Sequence, residues 1–239
     1  WVRKDGGEGG SHPSNIHDSA YVFGAMDFTG DMPVILGPDG PSLGGFVCPA
    51  VVINADRWKL GQLVPGDEVQ LRLVDQQQAR EISNAQLQWL ENAQHELTIA
   101  PSPKRVKESA AARIVLYETN DVKIRQAGQE WVLLEFGEAI IDLRARMLIG
   151  DFAKIVTDSG LPGVVEMIPG VRSLLLRFDI VRWTHDAMVR ALEPLLMQAR
   201  TNSSGAVSSR IVSLPLSWDD PACHEAIARY TNNVRPDAP

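Results

Sequence analysis

Residues 5–18, Asp5-Gly6-Gly7-Glu8-Gly9-Gly10-Ser11-His12-Pro13-Ser14-Asn15-Ile16-His17-Asp18, gather four glycines with side chains able to donate, accept or move protons. Successive glycines reach positive φ and let backbone N–H groups close on a ligand as an anion-binding nest. Gly9 and Gly10 are therefore candidate amide donors, with His12, Asn15 and Asp18 beside them to exchange protons or bind polar groups. An ordinary solvated turn has the same composition. Neither GxxxxGK[ST] nor a strand-GxGxxG-helix unit is present, so the segment is not a nucleotide loop.

A second candidate is Gly40-Pro41-Ser42-Leu43-Gly44, which matches G-x-S-x-G. A nucleophile elbow needs a strand before its serine and a helix after it. Here Pro38-Asp39-Gly40-Pro41 precedes Ser42 and an apolar strand pattern, 45–53, follows. Ser42 is accordingly read as a turn hydroxyl facing a ligand or capping a neighbour, not as a nucleophile. Pro169-Gly170 marks a turn followed by Arg172, whose guanidinium suits a carboxylate, although charged residues are also common at turns. Glu135-Phe136-Gly137-Glu138 carries the same two readings. The five histidines form no HExxH pair and the two cysteines, Cys48 and Cys223, no CxxC, so neither a protein-bound metal nor a redox motif has support.

These residues must be placed by elements, and the patterns change along the chain. Up to about residue 75 the sequence reads as turns and strands, including 33–36, 45–53 and 68–74, the last with Val69, Leu71 and Leu73 alternating with polar residues. Residues 76–93 are good helix formers with an apolar stripe of Ile82, Leu87, Trp89 and Leu90. Pro101-Ser102-Pro103-Lys104-Arg105-Val106-Lys107 reads as a linker. Strands follow near 113–118, 122–125 and 130–136, then helix 142–159, strands 164–168 and 173–178, helix 184–200 and strand 208–213. A last helix covers about 221–233, with Pro221 at its first turn. Helix 142–159 places Leu143, Met147, Leu148, Phe152, Ile155 and Val156 on a core-facing stripe and stops before Gly160-Leu161-Pro162-Gly163. From residue 130 the order is β-α-β-β-α-β, which predicts an α+β fold with a ferredoxin-like subdomain.

At 239 residues and 44% hydrophobic, the chain can bury one large core or two modest ones. A net charge of −7 and 6% aromatic residues argue against a nucleic-acid or anionic-membrane binder. No apolar run approaches the roughly 18 residues of a spanning helix, and the sparse cysteines suit a reducing cytoplasm. A small molecule or a protein is the expected partner. The opening Trp1-Val2-Arg3, with neither initiator Met nor targeting region, leads us to expect part of a longer polypeptide.

Three stretches in order, Gly6–Asn15, Phe28–Leu36 and Asp39–Cys48, resemble the end of an allophanate hydrolase subunit two-type domain. Leu133-Leu134-Glu135-Phe136-Gly137-Glu138, Pro169-Gly170-Val171-Arg172-Ser173-Leu174 and Phe178-Asp179 resemble the start of the subunit one-type domain. A two-type tail running into a one-type head, with the ending 211–239, is similar to the carboxyltransferase region of biotin-dependent urea carboxylases and urea amidolyases. One residue departs from the family pattern Gly-x-x-Asn-x-Thr-Gly-Asp: Asp27 stands where Asn is expected.

The resemblance implies a cyclophilin-like barrel portion over 1–100, a linker at 101–112, a ferredoxin-like part over 113–205 and the start of a second barrel over 206–239. It implies carboxyl transfer from carboxybiotin to urea or a related amide. Biotin would arrive on a carrier domain, and a biotin carboxylase domain using ATP would charge it; neither domain is in this sequence. On this reading Asp18, His12 and Asp31 are catalytic, and Gly9, Gly10, Asn15, Ser42 and Arg172 bind substrate. The competing expectation is a 5-oxoprolinase-subunit-like or non-catalytic partner-binding module.

Overall fold

The computed structural model describes residues 15–29, 32–41, 43–91, 115–138, 140–202, 209–234 and 236. The first sheet contains β1 (Asn15–Ala20), β2 (Ala25–Thr29), β3 (Met32–Ile35) and β4 (Leu43–Val51) in the order β1-β4-β2-β3, every pair antiparallel. A 3-10 turn (Asn54–Asp56), the short α1 (Arg57–Leu60) and α2 (Gln76–Glu91) follow. The second sheet comprises β5 (Val115–Glu118), β6 (Val122–Ala127), β7 (Trp131–Phe136), β8 (Val164–Pro169) and β9 (Ser173–Phe178), ordered β5-β6-β7-β9-β8 and again antiparallel. Helices α3 (Leu143–Ser159) and α4 (His185–Asn202) are threaded through it, and α5 (Pro221–Asn233) ends the described chain.

Local chemistry explains the helix boundaries. Asp142 caps α3 by accepting from the Arg144 N–H at 2.8 Å, and Gly160 closes it in the left-handed region at φ 61°. Asp220 caps α5 by accepting from the Cys223 N–H at 2.9 Å, with Pro221 in the first turn where its missing N–H costs nothing.

The five-stranded sheet is covered on both faces. Ile124, Leu134, Phe136, Leu174 and Leu176 pack against Phe152 of α3 and Leu192 and Leu196 of α4. The opposite face offers Ala127, Trp131, Leu133 and Leu175 to Val22, Ala25, Leu43 and Val51 of the first sheet and its turns. Double coverage is why Trp131-Val132-Leu133-Leu134 of β7 and the Leu174-Leu175-Leu176 run are continuously apolar instead of alternating. Each of those leucines contributes roughly 1.5–3 kcal/mol relative to an exposed position.

Several expectations need correction. Residues 68–74 form no strand: Val69, Leu71 and Leu73 stay exposed, because no neighbouring strand pairs with them among the described residues. Residues 209–213 are likewise irregular, with Ile211 98% exposed, and the place beside β7 is taken by β6. Helix α2 buries Ala79 and Ser83 while Leu87 and Leu90 face solvent, because the groups it meets are polar ones in the β6–β7 turn. Leu143 and Met147, in the first turns of α3, are exposed; Ile149 is the fully buried residue the stripe omitted. No described helix is long and apolar enough to cross a membrane.

The β6–β7 turn joins the two halves. Gln129 accepts from the Asn54 N–H at 2.9 Å and donates to Ala79 O and Ser83 Oγ at 3.1 and 3.0 Å. Gln76 Nε2 donates to Gly128 O and to His185 Nδ1, at 3.2 and 3.0 Å, and Arg80 donates to Trp183 O at 2.7 Å. With Nδ1 accepting, His185 carries its proton on Nε2, which donates to Trp131 O at 3.3 Å. Burial pushes the His185 pKa down to about 4, only partly opposed by the bond to Trp131.

This predicts a pH dependence. The folded imidazole stays neutral while the unfolded one takes a proton below about 6.5, so the stability present above pH 6.5 drains away as pH falls toward 4. The total is about 3 kcal/mol. Melting of wild type and His185→Gln between pH 7.5 and 4.5 checks it: the wild type should lose more, and parallel curves refute the assignment.

Candidate functional site

Three segments far apart in sequence meet where β1 ends and β4 begins. Ser19 and Ala20 pair with Gly44 and Leu43, which brings the end of β1 beside the start of β4. On the other side lies the turn between β8 and β9. A Cβ placed on Gly170 would come within 2.9 Å of Leu43 Cδ1 and 2.5 Å of Ser173 Oγ, so the Pro169-Gly170 turn lies close against the start of β4 and any side chain there would have to displace those two. Gly44 is equally constrained: a Cβ there would run into the Tyr21 ring.

The pairing of β1 with β4 is not regular. Asn15 faces Phe46 and Ser19 faces Gly44, so four residue steps on β1 span two on β4, and residues 16–18 form a bulge. The Phe46 N–H donates to the Tyr21 hydroxyl at 2.7 Å. Ala25 and Asp27 lie on the buried face of β2, and Asp27 is only 7% exposed. Thr29 Oγ1 stands 3.5 Å from Asp27 Oδ1, and the Tyr21 phenol is close enough to the Asp27 carboxylate to feel its charge. Burial, reinforced by the Asp27 charge, pushes the Tyr21 phenol up to about 12. The half-buried Cys48 thiol is pushed up to about 11, again by burial first and Asp27 second, so it is protonated near neutral pH and a poor nucleophile.

Beneath the β8–β9 turn, Glu135 of β7 holds two guanidinium groups. Arg172 Nη2 lies 2.9 Å from Oε1 and Arg125 Nε 2.5 Å from Oε2. Arg172 therefore does clamp a carboxylate, but one supplied by this chain. The pair also gives Glu135, undecided in the sequence, a definite task in orienting the turn.

Asn15 and Asp18 lie on β1, at the start of the bulge and within it. Gly9, Gly10, His12, Asp31 and Ser42, like the linker 101–112, lie outside the described residues. The sequence reading passed over Tyr21 altogether and noted Asp27 only as a departure. The alternation Ala25-Asp27-Thr29 contained the signal, because it sets a carboxylate on the same face as a buried alanine. A separate depression of about 440 Å³ between the end of α3 and β8, lined by residues such as Val156, Leu161, Val164 and Met167, includes none of the candidate site residues.

Residues 2–73 match the family described as carboxyltransferase domain, subdomain A and B, and residues 122–234 the one described as carboxyltransferase domain, subdomain C and D. A urea amidolyase from Lachancea kluyveri is 38% identical over 245 residues, and one from Saccharomyces cerevisiae 35% identical over 246. Both comparisons take in the whole of this chain, which spans 13% of the length of either relative. The crystal structure of the Kluyveromyces lactis urea carboxylase is similar with a TM-score of 0.72 at 35% identity, over 100% of this chain and 22% of that one.

Proposed function

Because the chain belongs to the carboxyltransferase-domain family, with stretches of both its A/B and C/D subdomains, we propose that it forms part of a site that transfers a carboxyl group from carboxybiotin to urea, yielding allophanate. The observation that carries this reading is the meeting of the start of β4 with the Pro169–Ser173 turn at one junction beside the end of β1, since β4 and the turn each belong to a motif of the resemblance. The junction suits such a group in kind. Leu43 offers an apolar surface, and the adjoining turn a guanidinium already oriented by Glu135.

Carboxybiotin, when bound, supplies an activated carboxyl group. The chain's own residues have to bind a very weakly acidic amide, take up its N–H proton and meet negative charge as it develops. Asp18 and Asp31 accept hydrogen bonds from the amino groups of urea and assist the proton's removal. His12 and Asn15 donate to the carbonyl, while the Gly9 and Gly10 amides meet an oxyanion. Ser42 and Arg172 border the substrate from the two flanking loops.

The same reading assigns 1–100 to a cyclophilin-like portion, 101–112 to a linker, 113–205 to a ferredoxin-like portion and 206–239 to the start of a second barrel. It calls for a biotin carrier domain, a biotin carboxylase domain that uses ATP, and a cytoplasmic setting. Combining the chain, within its complete polypeptide, with ATP, bicarbonate and urea should give allophanate in proportion to urea. ATP cleavage without any urea-dependent product would refute the proposal.

A further inference from the structure

The bulge in β1 coincides with an unusual hydrogen bond. At the edge of the surplus residues, opposite Asn15, the Phe46 N–H of β4 donates at 2.7 Å to the hydroxyl of Tyr21, a side chain from beyond the far end of β1. We propose that Tyr21 and Asp27 are positioning residues that hold this bulge, and with it the place of Asp18, Tyr21 by bonding the backbone of β4 and Asp27 by bonding Tyr21. The inference rests on the proposed function only in taking Asp18 as part of the site.

Three observations support it. A bulge re-aims the residues it contains and persists when its surroundings over-determine it, and here a phenol stands across it. A carboxylate buried as Asp27 is carries a desolvation cost unless hydrogen bonds satisfy it. Among the described residues no cation lies within ion-pair distance, and its neighbours are hydroxyl and thiol groups, those of Tyr21, Thr29 and Cys48. With its O–H turned toward Asp27, the Tyr21 oxygen presents a lone pair to the Phe46 N–H. Gly44 completes the arrangement, since any side chain there would displace the Tyr21 ring.

Neither residue needs to touch substrate, so the test separates kcat from KM. In the complete enzyme Tyr21→Phe and Asp27→Leu should each lower kcat for allophanate formation about 10²-fold, the cost of misplacing a catalytic group by about 1 Å, with KM for urea nearly unchanged. Asp27→Asn keeps an acceptor oxygen and should retain most of the activity. Exchange of the Phe46 amide should accelerate in the first two variants and not in Asp27→Asn, while the five-stranded sheet keeps its protection. Wild-type kcat in Tyr21→Phe overturns the proposal. Equal losses in Asp27→Asn and Asp27→Leu, or loss of protection throughout both sheets, would do the same. An absence of urea-dependent turnover in the wild type instead refutes the proposed function, and Phe46 exchange then still decides whether the pair holds the bulge.

Discussion

Changing Asp18 to Asn in the complete enzyme should lower urea-dependent allophanate formation by 10² to 10⁴, about the range that a positioned general base contributes. His12→Ala should produce a loss of similar order. The amide nitrogen of urea releases its proton so reluctantly that, without an acceptor in place, attack on the carboxyl carbon stalls. Asn keeps the size and one acceptor oxygen of Asp but cannot take up a proton, so kcat should fall more than KM rises. Charging of biotin, measured as bicarbonate-dependent ATP cleavage, should stay at the wild-type rate because the proposed function assigns it to another domain. Allophanate formation at the wild-type rate in either variant would remove that residue from the site.

The largest effect on stability should come from Glu130. Its carboxylate accepts from Arg57 Nη1 at 2.5 Å and from Asn54 Nδ2 at 3.2 Å, and Arg177 Nε lies 3.6 Å away. The side chains of Arg57 and Glu130 are 12% and 11% exposed, and Arg57 Nε and Nη2 are already buried without a hydrogen-bond partner. Glu130→Ala would leave that guanidinium with little beyond the Phe23 ring, whose centre is 5.1 Å from Cζ. Breaking one side of a buried pair costs about 3–5 kcal/mol, which lowers Tm on the order of 10 °C for a domain of this size. Replacing both partners with apolar residues, Glu130→Leu with Arg57→Met, should restore most of the loss, because no uncompensated charge remains. Calorimetric melting of the wild type and the two variants decides it, and a Tm for Glu130→Ala close to wild type would show that the pair contributes little.

Much of the architecture could be read from local patterns. Strands were expected at 130–136 and 173–178, where β7 and β9 lie, Asp220-Pro221 announced α5, and Gly160 ended α3 where expected. The two strands that did not form share one cause. The alternation at 68–74 is a sound strand pattern, and so is the expected strand at 208–213, yet a strand exists only when another backbone accepts its hydrogen bonds. No pattern within either segment says whether that backbone is at hand.

The site divides along the same line. Candidate residues such as Asn15, Asp18 and Arg172 were legible because their types and neighbours announce proton transfer and carboxylate binding. That Arg172 is engaged by Glu135, 37 positions earlier in the chain, and that Tyr21 bonds Phe46 across a bulge, was not. Caps, turns and helical stripes depend on groups a few residues apart and were therefore written into the chain itself. Which strand lies beside β7, where Gly170 touches Leu43, and what a buried Asp27 bonds to depend on distant segments brought together, and only the packing of the two sheets against each other settled them.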